Sequence, residues 1–371
     1  MNSALSDKKG HYFLYVRFLE SAFLKSINED ANENEREERS MKNHIIFFSG
    51  GMSSFTVAHL VKIKYPNDNI LLYFTDTLWE DSDLYRFIYE ASDKLELPML
   101  YHSVGLTPVQ LMAIERFLYN SRVGNCSKKL KMEPAAKFLK KGIKPFVEMK
   151  YNYEFLKADI SPLEEGFKAD TILYFGIGWD EMHREDAIKK NWAPFDVQMP
   201  LIDEVINNED VLNLYGIRKP RLYDMGFAHN NCKGRCVKAG QGHYKNLLLK
   251  DEKTFQEVKE QEIVLSEYIR YTKQPQIKSG KCKDYLFKDV YNYLSTGIKS
   301  FKIKKILESA DYLSSSRRLF GNDSKGNPIN KPYSYIKGMT LNLLEKQPIQ
   351  CDMWDIGGCG CFVDYENTLN D

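Results

Sequence analysis

Short apolar runs alternate with longer stretches of helical period from His44 to Met199. His44–Phe48 is a brief, β-rich run that stops at a glycine pair, which predicts a buried parallel strand. Beyond it Phe55, Ala58, Leu60, Val61 and Ile63 recur on one side of a helix, with Ser53 or Ser54 placed to cap it. Asn69–Thr77 predicts a second strand. Ser82–Leu95 predicts a helix with Leu84, Phe87, Ile88, Ala91 and Leu95 toward the core. A strand over Met99–Val104, a helix over Pro108–Tyr119 and strands over Asp170–Ile177 and Phe195–Met199 continue the series. Such alternation predicts an α/β fold, a parallel sheet with helices on both faces.

After Leu201 the pattern changes. A short helix over Glu209–Tyr215 and an aromatic-anchored turn over Pro220–Gly226 lead into a cysteine-containing stretch from His229 to His243. Phe255–Arg270 and Asp284–Leu294 have the spacing of amphipathic helices. Residues 295–345 are rich in Lys, Ser and Asn, with turn signals at Gly321–Pro328, and the segment from Cys351 is rich in Gly and Cys. At the other end His11–Phe23 suits one helix, and Glu29–Arg39 is a charged, low-complexity stretch. The chain therefore divides into an extension over 1–41, an α/β domain over 42–215 and a mostly helical, cysteine-containing region over 216–371.

Composition narrows the class. Hydrophobic residues at 43% and charged residues at 28% of 371 describe a globular protein. A formal net charge of +1 gives no global basic signature for nucleic acid. No run is long enough to span a bilayer, and no signal peptide is evident. Seven cysteines, an odd number, fit a reducing cytoplasm better than a secreted disulfide framework. They favour thiol or metal chemistry.

The candidate chemistry lies at strand ends. In parallel sheets ligands sit at the carboxyl ends of strands. Ser49-Gly50-Gly51-Met52-Ser53-Ser54, Asp76–Thr77 and Gly176–Glu181 all fall there. A glycine turn opening a helix points backbone N–H groups at an anion, so the first of these is a candidate phosphate cradle.

These residues also carry a resemblance. Ser49-Gly-Gly-Met-Ser-Ser resembles the Ser-Gly-Gly-x-Asp-Ser loop of the PP-loop adenine nucleotide α-hydrolases, which include ATP pyrophosphatases and phosphoadenosine phosphosulfate (PAPS) reductases. Phe74-Thr-Asp-Thr with Asp83-Leu-Tyr-Arg-Phe is similar to the reductases' Asp-Thr strand end and following helix. Cys126-Ser-Lys-Lys-Leu-Lys-Met-Glu-Pro resembles their Cys-x-x-x-Leu-Lys-x-x-Pro segment. Gly176-Ile-Gly-Trp-Asp-Glu-Met-His-Arg is similar to Gly-Ile-Arg-x-Asp-Glu with its trailing arginine. Pro220-Arg-Leu-Tyr-Asp-Met-Gly-Phe and Cys232 resemble their Asn-Pro-Leu-Tyr-Asp-x-Gly-Tyr and Gly-Cys. The five blocks keep the family's order.

The resemblance implies a Rossmann-like, HUP-type sheet that binds an adenine nucleotide, either ATP or PAPS. Gly50, Gly51, Met52, Ser53 and Ser54 would hold its phosphates with the Ser49 and Ser54 hydroxyls, Asp76 and Thr77 would meet its adenosine part, and Gly176 would line the same edge. Lys129, Lys131 and Arg184 are candidate cations for phosphate or sulfate. Asp180 and Glu181 are candidate Mg²⁺ ligands, or partners of Arg184. Lys131, Asp180 and Arg184 are the candidate catalytic set. Two departures stand out: Ser53 replaces the loop aspartate, and the reductases' Glu-Cys-Gly-His-type tail is here Gly357-Gly-Cys359-Gly-Cys361-Phe.

Cys126, Cys232 and Cys236, with Cys359 or Cys361, are candidate ligands of a [4Fe–4S] cluster. Zinc, with His229 or His243 as a nitrogen ligand, and plain reduced thiols are the alternatives. Three functional classes follow from the resemblance. They are ATP-dependent adenylation of an acceptor with pyrophosphate release, thiol-dependent reduction of an adenylyl sulfate, and a nucleotide-binding module without turnover. A sulfur-donor protein, a nucleic-acid acceptor and a second copy of the chain are the partners left open; a membrane is not expected. Lys299, Lys302, Lys304 and Lys305 form either a phosphate-facing patch or a solvated face.

Overall fold

The computed structural model describes residues 41–119, 124–309, 333–336 and 338–348. The sequence expectations for the extension before Met41, for Gly321–Pro328 and for Cys351, Cys359 and Cys361 lie outside the described residues.

Six strands form one sheet in the spatial order β4-β3-β2-β1-β5-β6. They are β1 (Asn43–Phe47), β2 (Asn69–Asp76), β3 (Met99–Ser103), β4 (Val147–Tyr151), β5 (Thr171–Tyr174) and β6 (Asp196–Gln198). All pairings are parallel except β3 with β4, which run antiparallel. The sequence pattern missed β4. Its Val-Glu-Met-Lys-Tyr is half-buried to exposed and lacks an apolar run, as suits a charged edge strand.

Alternation along the central strands builds two cores. Ile45 and Phe47 of β1 and Leu71 and Tyr73 of β2 face one side; Ile46, Phe48, Leu72 and Phe74 face the other. The second side is covered by α1 (Met52–Lys64) and α2 (Ser82–Leu95). Phe55, Ala58 and Val61 of α1 are buried, as expected, and α2 buries Leu84, Phe87, Ile88, Ala91 and Leu95. The helix α3 spans Pro108–Glu115 and stops where Arg116 turns left-handed, short of the expected Tyr119. On the first side α4 (Glu133–Lys141) and α5 (Glu185–Trp192) bring Phe138, Leu139, Ile188 and Trp192 to the sheet.

The later helices are α6 (Asn208–Leu214), α7 (Gln241–Lys250), α8 (Glu252–Thr272), α9 (Phe287–Thr296) and α10 (Phe301–Glu308). Phe255, Leu265, Tyr268 and Ile269 of α8 pack in a third core with Tyr244 of α7, Val290 of α9 and Ile303 of α10. Val109 and Met112 of α3, and Trp79 from the turn after β2, join that core. It also receives Tyr335 and Leu341, whose backbone N–H groups donate to the buried Glu262 carboxylate at 2.8 and 2.7 Å. No described helix is long and apolar enough to cross a membrane.

Candidate functional site

The chain leaves β1 toward β2 on one side of the sheet, whereas β5 lies against β1 on the other, so the strand order reverses between β1 and β5. Crevices at such reversals are where α/β sheets hold ligands. Ser49–Ser54 follow β1 and Gly176 follows β5, which puts both at this crevice.

The loop owes its shape to two glycines. Gly50 has φ +77°, in the region L side chains rarely adopt, and its backbone lies so near Leu84 that an added Cβ would come within 2.8 Å. Gly176 meets the loop from the other side. A Cβ there would sit 2.8 Å from the Ser54 nitrogen and 3.0 Å from the Ser53 carbonyl carbon. Both are backbone atoms that cannot swing away.

Helix α1 begins on Gly51, and no side chain caps it; the expectation of a Ser53 or Ser54 cap is corrected here. Ser54 Oγ instead donates to the Gly51 carbonyl at 2.8 Å, and Asn208 Nδ2 donates to Ser53 Oγ at 3.3 Å. Phe55 N–H reaches the Gly51 carbonyl, so the amides of the turn before it have no intrahelical acceptor. Met52 N–H donates to the Tyr223 hydroxyl at 3.4 Å, a long bond. The first turn of α1 carries no acidic residue, while Lys62 and Lys64 stand in its last turn. The positive end of its dipole therefore stays available to an anion.

A cleft of about 690 Å³ opens over this helix start. Ser49, Gly51, Met52, Ser53 and Ser54 form one wall, Gly176–Glu181 with His183 and Arg184 a second, and Tyr223 with Ala228–Asn231 a third. Trp179 and Val205 line it as well and are 62% and 84% exposed, so its mouth is apolar. Among the described residues its charged lining consists of Asp180, Glu181 and Glu204 against Arg184. Arg184 is bound to Glu181 at 2.6 Å. Burial holds His229 below its ordinary value, with Glu181 opposing and Arg184 reinforcing that shift.

The other expected site residues form a separate, closed chamber. Thr77, Cys126, Lys131, Cys232 and Cys236 line a cavity of about 10 Å³ beside Trp79. Its hub is Glu80, which the sequence reading passed over. Glu80 accepts from Thr77 Oγ1 at 2.9 Å, from Lys131 Nζ at 3.2 Å and from the Cys232 backbone N–H. Burial alone would push Lys131 down; Glu80 and then Cys232 outweigh it and hold the ammonium above its ordinary value. Cys232 and Lys233 have φ of 54° and 51°, left-handed values uncommon outside glycine. Lys131 itself lies in a π-helical turn, Lys128–Met132, that leads into α4.

Cys126, Cys232 and Cys236, the described thiols of the candidate set, do converge. The Cys232 thiol donates to Cys236, which raises Cys232 and lowers Cys236, and burial followed by Cys236 pushes Cys126 up to about 12. The space between them is about that of one water molecule. Among the described residues no group of three or more His, Cys, Asp or Glu is arranged to hold a metal ion. The described residues thus lend no support to a cluster or to zinc. Neither histidine joins the thiols: His243 contacts the Gly234 carbonyl at 2.7 Å, and His229 lines the open cleft over α1.

Asp76 is also drawn off the cleft. Its carboxylate accepts from Tyr85 at 3.0 Å, from Tyr101 and from the Leu78 N–H at 2.8 Å, and burial raises it above the ordinary carboxylate range. Lys129 pairs with Glu115. Lys299 and Lys302 pair with Glu260 and Asp289, as on a solvated face. Asn230, Tyr223 and Glu204 are cleft residues that the sequence reading did not single out; buried Lys131 was itself a signal that an acid such as Glu80 must stand near.

A sheet that reverses beside a glycine loop and an open helix start is the arrangement in which α/β proteins hold nucleotides. Residues 43–147, from β1 to the start of β4, match the family described as the phosphoadenosine phosphosulfate reductase domain. Residues 43–147 are thus similar to the PAPS reductase domain of the PP-loop superfamily, whose members bind adenine nucleotides. No curated protein matches the chain.

Proposed function

We propose that the chain is an enzyme that binds ATP with Mg²⁺ in the Ser49–Ser54 cleft and transfers its adenylyl group to an acceptor, releasing pyrophosphate, as a step in sulfur-related chemistry. The observation that carries this reading is the charge of the cleft. Three carboxylates face one guanidinium already committed to Glu181, and Lys131 is sealed away against Glu80. Gly178 moreover stands where the similar family segment has arginine. A bare polyanion entering such walls is repelled, whereas a nucleotide that brings a divalent cation is not.

The oxygen-rich lining suits Mg²⁺, which is commonly held by one or two carboxylates together with substrate phosphates. Asp180 and Glu181 are the residues that would hold it, and it would supply charge neutralisation there. The loop amides of Met52–Ser54 and Arg184 stabilise charge on the phosphates. In the transfer a bond forms from the acceptor's nucleophile to the α-phosphorus as the bond to the β-phosphate oxygen breaks. His229, kept neutral by burial, takes the acceptor's proton.

Thiol-dependent reduction of an adenylyl sulfate is the second reading, favoured by the family match. Cys126, Cys232 and Cys236 line a chamber apart from the cleft, so they do not favour it, while Cys359 and Cys361 lie outside the described residues. Turnover separates the readings. Pyrophosphate release from ATP, stimulated by a candidate acceptor, supports adenylation; sulfite release from PAPS with a dithiol would replace it with reduction. Nucleotide binding without either product would leave a binding module.

A further inference from the structure

Asn230 is 1% exposed and stands in the wall of the cleft. Its side-chain Nδ2 donates to the Gly50 carbonyl oxygen at 2.8 Å. A carbonyl can only accept, so that contact fixes which end of the amide is nitrogen. The other end, Oδ1, is buried and has no hydrogen-bond partner among the described residues. An unpaired buried acceptor is costly, and a donor brought by a ligand would relieve that cost.

Asn230 is also held from behind. The backbone N–H of Cys232, two residues on, is tied to Glu80, and the left-handed Cys232 and Lys233 leave this segment little freedom. Turning the amide to find another donor would break its bond to Gly50. The orphan oxygen therefore keeps its place beside the phosphate loop.

Ligand chemistry narrows what can satisfy it. Ionised phosphate oxygens only accept, so an amide oxygen facing them is repelled. The part of a nucleotide that adjoins the phosphates and carries O–H donors is the ribose. We propose that Asn230 is a specificity-determining residue whose Oδ1 accepts a hydrogen bond from a ribose hydroxyl, selecting nucleotides in which that hydroxyl is free over those in which it is phosphorylated. This rests on the adenine-nucleotide reading of the cleft and adds the group by which the ligand is chosen.

The test is equilibrium binding of the full chain to ATP, 2′-deoxy-ATP and 3′-deoxy-ATP, each with Mg²⁺, by titration calorimetry. One of the two deoxynucleotides is expected to bind the wild type at least about tenfold more weakly than ATP, the loss of one hydrogen bond with its acceptor left unpaired. In Asn230→Ala the same pair should agree within about twofold, since no acceptor remains to be left unpaired. Thermal unfolding of Asn230→Ala checks the fold. Equal binding of all three nucleotides by the wild type, or a preference unchanged in Asn230→Ala, would overturn the role of Asn230 and leave the nucleotide reading standing. Absence of binding by any of the three would overturn that reading and the assignment with it.

Discussion

Lys131 Nζ lies 3.2 Å from the Glu80 carboxylate, and both side chains are closed to solvent, at 4% and 0% exposure. A cation that the family resemblance directs toward phosphate or sulfate is here part of the fold. Removing one member of a buried pair leaves an uncompensated charge. Lys131→Met is expected to cost about 3–5 kcal/mol in urea unfolding. Adding Glu80→Gln should recover part of that loss, because the stranded carboxylate is then gone. A double variant no more stable than Lys131→Met would mean that the pair is not coupled as the geometry requires.

Gly176→Ala should distort the phosphate loop, because the new methyl meets the backbone of Ser53 and Ser54 at 2.8–3.1 Å. The expected cost is about 1–3 kcal/mol, as for other overpacked sites, with loss of nucleotide binding. Gly178→Ala is the control. Its methyl meets the Asp180 carboxylate oxygen, 2.9 Å away on a side chain that can turn, and comes no nearer than 4.0 Å to the Leu201 carbonyl oxygen. Thermal unfolding of the two variants should rank them in that order.

Arg184→Gln separates binding from stability. Its pair with Glu181 is partly exposed, so unfolding should change by about 1 kcal/mol or less. Losing a charge-assisted contact to phosphate should weaken nucleotide affinity about tenfold or more. A calorimetric titration showing unchanged affinity would remove Arg184 from the site.

Glu262 sets a pH dependence. Burial pushes its carboxyl up to about 8, opposed by the N–H groups of Leu341 and Tyr335. Between the ordinary glutamate value and about 8 the native chain holds a proton that the unfolded chain has released. Stability contributed by this group is then present at low pH and falls as pH rises through that window. Glu262→Gln should abolish this component of the slope in unfolding curves taken from pH 5 to about 8, whatever its effect at a single pH.

Much of the fold was legible because its strands are short apolar runs and its helices are periodic. The β1 turn, the span of α2 and the parallel pairing of the central strands followed from that pattern. Edge strand β4 did not, since its half-exposed residues give no buried run. The site was legible where backbone geometry defines it, at Gly50, Gly51 and Gly176. Charged groups were harder to place, because a lysine or aspartate in a motif does not reveal which neighbour will claim it. Glu80 claimed Lys131 across 51 positions, and Tyr85 and Tyr101 claimed Asp76. Asn230 was unreadable for a related reason: its meaning lies in a contact with Gly50, 180 positions away.

The central claim is that the cleft over α1 takes ATP together with a divalent cation. Calorimetric titration of the full chain with ATP, in Mg²⁺ and then in chelator, and with PAPS in both buffers, tests it directly. Saturable ATP binding that requires Mg²⁺ and is lost in Gly176→Ala is expected, with PAPS the weaker ligand. Tighter binding of PAPS than of ATP in chelator would contradict the charge argument and return the cleft to reductive chemistry.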